Sequence, residues 1–467
     1  DTGEGDALIH GPTWRGFHTG DGVKVAILDT GFDEYLTLAG AGELPTATDL
    51  ITQSFRADRV FTPTTHGTAC AEIVYDIAPG ATYYLVNFST STEFSNAVSY
   101  LEGENVDIVS QSVSFFNAGP YDGTSGISQR INTANANGIF WTNSAGNRGE
   151  QHWEGMFNDA GDGSHDWVTS VMTTANVNQI GWRSENTLVT AYLSWDDWDA
   201  SSNDYDLYLL YYDAESKEWK TAGSSTNLQT GTQTPTERIV EYTGAPGYYG
   251  LYVVQEPGAA DHYLELFTTR QNLYYNVASG SVPNCGDAAG AVTTGAVDVN
   301  NYVAAGLMDY SGRGQTNGSG GGAPDGTSRT KPDIASPTNT GSTTTYGTFG
   351  GTSAATPHTA GAAALYLEAY RDTTGGGTPP TAGQIQTYLE DKAESLHDWG
   401  TDTDGIKNND FGAGGLDLGE DSLGPNAIGM MGVQTDPSVA MISLIVAGTG
   451  IGLASVLWVR RNRRREP

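Results

Sequence analysis

The stretch "GGTSAATPHTAGAAALYLEAY", Gly350 to Tyr370, joins a glycine turn to an alanine-rich helical pattern. A serine at the start of a helix usually caps it, because its side-chain oxygen accepts a hydrogen bond from a free backbone N–H. Taken alone, Ser353 has that ordinary interpretation. A catalytic interpretation requires a base, and a group that orients the base, elsewhere in the chain.

Strand patterns alternate with helical patterns before this helix. The apolar runs are "VKVAIL" (Val23–Leu28), "ATYYLVNF" (Ala81–Phe88), "VDIVSQSVSF" (Val106–Phe115) and "IFWTN" (Ile139–Asn143). This alternation predicts an α/β fold with a parallel sheet flanked by helices. Four small residues predict that the helix after Ser353 lies close to the sheet: Ala354, Ala355, Ala360 and Gly361.

The chain contains 8 histidines that could act as the base. His358 follows Ser353 by five residues, about 140° around a helix axis, so we expect a structural role for it. His66 opens a helical pattern, and Asp29 follows a strand pattern directly, where open α/β sheets build their sites. A capping histidine and a turn aspartate are the ordinary alternatives. Asn147, after a later strand pattern, could donate to an oxyanion.

Four motifs occur in a characteristic order: "DTG" at Asp29, "HGT" at His66, "SAGN" ending at Asn147 and "GTSAATPHTAG" around Ser353. Together they resemble the subtilisin-like serine proteases (subtilases). The resemblance implies that Ser353 is the nucleophile, His66 the general base and acid, and Asp29 its orienting carboxylate. It implies that Asn147 supplies an oxyanion hydrogen bond, and that catalysis requires no cofactor.

The resemblance covers roughly residues 8–172 and 277–418. It implies a substrate cleft in which an extended peptide pairs as an added strand. The residues implied to line this cleft are Ser112, Val113, Ser114, Ser144, Ala145 and Gly146.

The chain departs from the family pattern at several positions. Ala354 replaces the methionine usual after the nucleophile, and Ser114 stands where the family often has glycine. Cys70 resembles the free cysteine that the proteinase K branch places beneath its histidine. The resemblance therefore implies an unpaired thiol, and a bridge between Cys70 and Cys285 stays open as the alternative.

The sequence changes character near Val171. Short, tyrosine-rich segments with alternating polarity follow, and no helical pattern separates them, which predicts an inserted antiparallel β-sandwich at residues 173–276. Its segment "SWDDWDASSNDYDLYLLYYD" resembles the jelly-roll modules of secreted peptidases. The catalytic domain is predicted at residues 1–172 and 277–425, with a linker at 426–437.

The segment "SVAMISLIVAGTGIGLASVLWV", Ser438 to Val459, carries no charge and is long enough to cross a bilayer. The arginine-rich tail "RRNRRREP", residues 460–467, follows at once. The positive-inside rule then predicts a single-pass cell-surface protein with an extracellular catalytic domain and a cytoplasmic C-terminus. A sorting signal that is cut and replaced by another anchor is the alternative.

The formal net charge is -33, from 55 acidic and 22 basic residues. A surface this acidic repels nucleic acid, which we exclude as a partner. It favours a halophilic source, because strong salt screens the self-repulsion. Ordinary solubility is the alternative.

Aspartate clusters could hold structural calcium, because hard cations take oxygen ligands. One cluster, in "NDAGDGSHDW", contains Asp159, Asp162 and Asp166. A second, in the predicted insert, contains Asp196, Asp197, Asp199, Asp204 and Asp206. In so acidic a chain, solvated surface carboxylates are the alternative.

Two functions follow from these patterns. The first is an extracellular serine endopeptidase that cleaves peptide bonds through an acyl-enzyme. The alternative is a catalytically inactive subtilase scaffold that serves as a surface binding protein through its insert. The four catalytic groups argue against the alternative, because a binding scaffold does not need them all.

Overall fold

A computed structural model describes residues 3–170, 173–375, 377–399 and 407–420. The predicted linker, the apolar segment at residues 438–459 and the arginine-rich tail lie outside these residues. Within them, no helix combines the length and the apolar character that crossing a membrane requires.

The strands in chain order are β1 (Lys24–Asp29), β2 (Ile51–Ser54), β3 (Thr82–Asn87), β4 (Ile108–Gln111), β5 (Phe140–Ser144), β6 (His152–Met156), β7 (Val168–Ser170), β8 (Thr173–Ala175), β9 (Asn178–Arg183), β10 (Leu188–Trp195), β11 (Tyr205–Asp213), β12 (Glu218–Ser225), β13 (Thr236–Tyr242), β14 (Gly247–Gln255), β15 (Tyr263–Thr268), β16 (Ala291–Asp298), β17 (Ile334–Thr338), β18 (Thr340–Gly341) and β19 (Thr348–Phe349). The α-helices are α1 (Gly3–Leu8), α2 (Gly11–Arg15), α3 (Tyr35–Ala41), α4 (His66–Ile77), α5 (Ser91–Gly103), α6 (Gly126–Ala136), α7 (Thr352–Thr373) and α8 (Ala382–Leu396). Short 3-10 helices lie at Val299–Ala304 and Ser319–Gly321.

Seven strands form one parallel sheet in the order β17-β16-β5-β4-β1-β3-β2. Successive residues of a strand point to opposite faces, and central strand β1 shows the consequence. Val25 and Ile27 pack in one apolar core with α4, α7 and α8. Ala26 and Leu28 pack in a second core with α5 and α6. The predicted parallel sheet with helices on both faces is confirmed.

Helix α7 follows the predicted helical pattern, and its small residues also allow a close approach to another helix. Gly361 lies against Ile77 of α4, so that a Cβ built on Gly361 would be 2.7 Å from the Ile77 Cβ. Helices α4 and α7 therefore pack directly on each other. This contact joins the last residue of α4 to the tenth residue of α7.

Two four-stranded antiparallel sheets follow β5, with the orders β13-β10-β15-β6 and β12-β11-β14-β9. Apolar residues from both sheets share one core, for example Val189, Leu264, Leu207 and Leu251. Classification of this unit as an inserted β-sandwich of the jelly-roll type stays a prediction, as do the domain boundaries.

The antiparallel pairing begins before the predicted boundary at residue 173. Strand β6, at His152–Met156, already pairs with β15. Its sequence gives little strand signal, because His152 and Glu154 lie on one face with only Trp153 apolar between them. His152 is nevertheless buried, and its ring lies 4.5 Å from that of Phe267, its neighbour on β15.

Candidate active site

Asp29 and His66 meet at the carboxyl end of the central strand. Asp29 is the last residue of β1 and is fully buried, and His66 is the first residue of α4. The His66 Nδ1 atom lies 2.8 Å from Asp29 Oδ2 and 3.0 Å from Asp29 Oδ1. The Asp29 carboxylate also accepts a hydrogen bond from the Thr30 backbone N–H at 2.7 Å. The imidazole is therefore held through Nδ1, and its other nitrogen is not needed for that contact.

The charge state of His66 reflects two opposing effects. Burial lowers the pKa of His66, whereas the neighbouring Asp29 charge and its hydrogen bond raise it, and the net shift of the pKa is upward. The side chain keeps 24% of its surface exposed while that of Asp29 has none. This arrangement stabilises an imidazolium that forms at the mouth of the site.

Ser353 is the second residue of α7, next to the start of α4. Gly351 precedes the helix with φ +84°, a conformation that favours glycine. The Ser353 carbonyl oxygen accepts a hydrogen bond from the Ser112 hydroxyl at 3.1 Å and a weak one from the Cys70 thiol at 3.6 Å. Because Cys70 lies one turn beyond His66 in α4, the contact brings Ser353 beside the histidine helix.

Asn147 contacts the residue before Ser353. Its Oδ1 atom accepts hydrogen bonds from the Thr352 backbone N–H at 2.9 Å and from the Thr352 hydroxyl at 3.0 Å. A Cβ on Gly351 would lie 2.8 Å from Asn147 Nδ2. The side chain is thus fixed through its oxygen, and its NH₂ group lies beside the turn that leads into α7.

Thr352 is a site residue that the sequence analysis does not single out. Besides its contacts with Asn147, its hydroxyl accepts a hydrogen bond from the Gly146 backbone N–H at 3.1 Å. The side chain is buried. A threonine directly before the serine in "GTS" is the only sequence signal, and it gives no indication of a contact with a residue 205 positions away.

The structure brings both predicted cleft segments to the start of α7. Ser112, directly after β4, contacts Ser353, and Val113 and Ser114 follow it on a partly buried path. In the second segment Ser144 ends β5, the Ala145 N–H donates to Thr294 at 3.0 Å, and Gly146 reaches Thr352. Whether these segments bind substrate stays a prediction.

The two cysteines are free and buried, so no disulfide joins them in the structure. Burial raises the pKa of both thiols well above the ordinary value. Cys285 lies 3.4 Å from Gln111 Nε2, at the end of β4. His358 is also buried, its Nδ1 donates to the Ala354 carbonyl at 2.8 Å, and burial lowers its pKa to about 4. These contacts are structural.

Three groups in the described part of the chain bring together the side chains that commonly ligate metals: Asp29 with His66 and Cys70, His18 with Glu368 and Asp372, and His152 with Glu154 and Glu265. The predicted calcium ligands Asp159, Asp162 and Asp166 do not form such a group there. The Asp159 carboxylate accepts hydrogen bonds from backbone N–H groups of residues 161–163. Calcium at this loop stays a prediction.

In the second aspartate cluster several carboxylates have protein partners. Asp196 contacts the His262 Nδ1 at 2.6 Å, Asp197 accepts from Ser201 and Asn203, and Asp206 accepts from Tyr208. Calcium at this loop also stays a prediction.

Comparison with known proteins gives one family model and several solved structures that are similar to this chain. A model of the Subtilase family matches residues 20–414. The CspB protease of Clostridium perfringens is similar in structure, with a TM-score of 0.61 and 17% identity, over 89% of this chain and 97% of that chain. A lanthipeptide protease has a TM-score of 0.46 and 14% identity, over 89% of this chain and 91% of that chain. A Pseudoalteromonas arctica protease has a TM-score of 0.42 and 14% identity, over 88% and 91% respectively.

No curated protein matches the sequence. At 17% identity the similarity to the CspB protease concerns the fold alone. The family model, in contrast, spans most of the chain and includes all four motifs that surround Asp29, His66, Asn147 and Ser353. This protein belongs to the Subtilase family.

Proposed function

We propose that this chain is a serine endopeptidase that cleaves peptide bonds through Asp29, His66 and Ser353. Membership of the Subtilase family supports a serine protease hydrolase that acts on proteins or peptides. The observation that carries the proposal is the contact of His66 Nδ1 with the buried Asp29 carboxylate at 2.8 Å, beside the helix whose second residue is Ser353.

The first half of the reaction forms an acyl-enzyme. The Ser353 Oγ attacks the scissile carbonyl carbon while His66 Nε2 takes the hydroxyl proton. Asp29 holds the Nδ1–H tautomer and stabilises the imidazolium. His66 then gives the proton to the departing amine, and the acyl group stays on Ser353 as an ester.

The second half releases the product. A water molecule attacks the ester carbonyl, His66 takes its proton, and the same proton returns to Ser353 Oγ as the carboxylic acid leaves. Each half passes through a tetrahedral oxyanion. We assign its stabilisation to Asn147 Nδ2 and to the Ser353 backbone N–H, where the N-terminus of α7 also favours negative charge.

The peptide would lie extended between the two cleft segments, with Ser112, Val113 and Ser114 on one side and Ser144, Ala145 and Gly146 on the other. Main-chain pairing of this kind tolerates many sequences. Preference among substrates then depends on the pockets between the segments.

We also propose a location. The apolar segment at residues 438–459 and the arginines after it would anchor the protein, with the catalytic domain outside the cell. The charge of -33 supports a halophilic setting. Protease protection of intact cells, with detection of an epitope tag at each terminus, tests this topology.

Labelling with a serine-directed fluorophosphonate, together with hydrolysis of an unfolded protein in molar salt, tests the enzymatic proposal. We expect Ser353→Ala to abolish both, and Ser395→Ala to change neither, because Ser395 is an exposed residue of α8. A folded wild-type protein that neither labels nor cleaves would refute the proposal. That result would favour an inactive scaffold that binds partners through its antiparallel sheets.

A further inference from the structure

His18, in the segment between α2 and β1, has a buried ring nitrogen without a hydrogen-bond partner. Only 8% of the surface of this residue is exposed. Its Nδ1 atom makes no hydrogen bond within the described part of the chain. A buried polar atom without a partner is unfavourable, and a bound ion is one of the usual reasons for it in a native structure. The groups around this nitrogen indicate what it binds.

Two carboxylates face the nitrogen at distances too long for hydrogen bonds. His18 Nδ1 lies 3.8 Å from Glu368 Oε1 and 3.6 Å from Asp372 Oδ2. One ligand atom from each of the three residues lies within 4.8 Å of the other two. We call these three residues the His18 group.

The separations suit a metal ion between the three side chains. Zn²⁺ lies about 2.0–2.2 Å from an imidazole nitrogen or a carboxylate oxygen. Two such ligand atoms, at tetrahedral or trigonal angles around the ion, are therefore about 3.3–3.8 Å apart. Both distances from His18 Nδ1 fall within this range.

The Glu368 carboxylate is held in the orientation that a metal ligand requires. Its Oε2 atom accepts hydrogen bonds from three successive backbone N–H groups, those of residues 19–21, at 2.7, 2.5 and 3.0 Å. These bonds use one oxygen and fix the carboxylate, so that Oε1 is the oxygen that faces His18. Hydrogen bonds of this kind commonly orient the ligands of bound metals.

Both carboxylates lie where a cation is favoured. Glu368 and Asp372 belong to the last two turns of α7, and the C-terminal end of a helix carries a partial negative charge. The basic residue of the last turn, Arg371, is engaged elsewhere, because its guanidinium donates to the Asp107 carboxylate at 2.6 Å and to the Gly22 carbonyl at 2.8 Å. An ion at the His18 group would compensate the carboxylates and the helix end together.

We propose that the His18 group binds a zinc ion. An imidazole nitrogen among the ligands favours Zn²⁺ over Ca²⁺ and Mg²⁺, which take oxygen ligands. The Asp372 side chain is 63% exposed, so the ion can reach the site from solvent and keep water as a fourth ligand.

The role of this ion would be structural. Glu368 follows Ser353 by 15 residues, about 22 Å along the axis of α7, so the ion lies far from the proposed reaction. It would join the segment before β1 to the end of α7. The inference does not depend on the proposed peptidase activity.

The test titrates the full-length protein with Zn²⁺ by isothermal calorimetry, after treatment with a chelator and dialysis. Molar NaCl and an excess of Mg²⁺ suppress weak binding to the acidic surface. We expect one equivalent of bound zinc that depends on His18. At a hundredfold excess over its Kd, the ion should raise the Tm by about 3 °C in a chain of this size.

Substitutions assign the zinc to the His18 group. His18→Gln and Asp372→Asn should each weaken this binding by at least about tenfold, because loss of a group that merely orients a metal ligand already costs about tenfold to a hundredfold. Both should remove the rise in Tm. Asp391→Asn is the matched control, at an exposed aspartate of α8, and should change neither. If His18→Gln does not fold, Asp372→Asn decides the matter, because Asp372 is exposed.

A wild-type protein that binds no zinc under these conditions overturns the inference. Zinc that binds His18→Gln and Asp372→Asn with the stoichiometry and affinity of the wild type overturns it as well. Binding at the groups around Asp29 or His152 gives that second result, because it survives both substitutions.

Discussion

The hydroxyl of Thr352 should contribute to catalysis although it contacts no reacting atom. It donates to Asn147 Oδ1 at 3.0 Å and accepts from the Gly146 N–H at 3.1 Å. Thr352→Val removes both hydrogen bonds and keeps the branched shape and the backbone N–H. Asn147 then keeps one of its two contacts with Thr352, the backbone bond of 2.9 Å, and we expect its NH₂ group to be less well oriented.

The size of the effect follows from the hydrogen bonds that are lost. A neutral hydrogen bond contributes about 1 kcal/mol to stability, and a buried N–H left without a partner costs about 1–3 kcal/mol. Loss of the Gly146 bond should therefore lower the free energy of unfolding by about 2 kcal/mol. Poorer orientation of Asn147, at about 1.4 kcal/mol in the transition state, should lower kcat about tenfold with little change in KM.

Steady-state kinetics on one peptide, combined in a double-mutant cycle with Asn147→Ala, checks this reasoning. Asn147→Ala alone should lower kcat by about a hundredfold to a thousandfold, and adding Thr352→Val should lower it little further. Thr356→Val is the control, because that hydroxyl donates to the Thr352 carbonyl, one turn back. If Thr352→Val also lowered kcat by about tenfold in the Asn147→Ala background, the reasoning would be refuted.

Two further predictions concern Asp29 and Gly361. Asp29→Asn should lower kcat by about 10⁴-fold and move the acid limb of kcat/KM to lower pH, because the Asp29 charge raises the pKa of His66 and burial alone lowers it; an acid limb at the wild-type pH would contradict this assignment. In the wild type the pKa of His66 is higher in the folded than in the unfolded state. Protonation of His66 therefore adds to the free energy of unfolding. This contribution is complete below the pKa of the unfolded state and is lost as the pH rises through the pKa of the folded state. Gly361→Ala should lower the free energy of unfolding by about 1–3 kcal/mol, because its Cβ would be 2.7 Å from that of Ile77. Gly383→Ala, on the exposed side of α8, should instead raise the free energy of unfolding by about 0.5–1 kcal/mol. Denaturant unfolding curves that shift equally in both variants would exclude overpacking of residue 361 against Ile77.

The parallel sheet was predictable because its strands are buried on both faces. The sequence of strand β1 is an apolar run that ends in Asp29. Such runs, separated by helical patterns, are compatible with few folds other than a parallel α/β sheet. The meeting of Asp29 and His66 follows from the order of the elements, since carboxyl ends of parallel strands share one edge. The free state of Cys70, implied by the resemblance, agrees with the structure.

The features that the sequence did not predict depend on contacts between residues far apart in the chain, which no local pattern encodes. Thr352 owes its position to Asn147 and Gly146, which follow another strand. Strand β6 was missed because its outward face is polar yet buried, where His152 meets Glu265 at 2.9 Å.

The antiparallel unit is separate in the chain from Asp29, His66 and Ser353. Strands β5 and β16 are neighbours in the parallel sheet, so the chain between them can leave and return without disturbing the strand order. Asp29, His66 and Ser353 lie on β1, α4 and α7, outside that stretch. The connecting chain starts beside Asn147 and places Tyr192 against Phe116, with Arg238 over the Tyr192 ring. Substitutions in the connecting chain should leave the histidine–aspartate pair intact, because Asp29 and His66 lie on other elements.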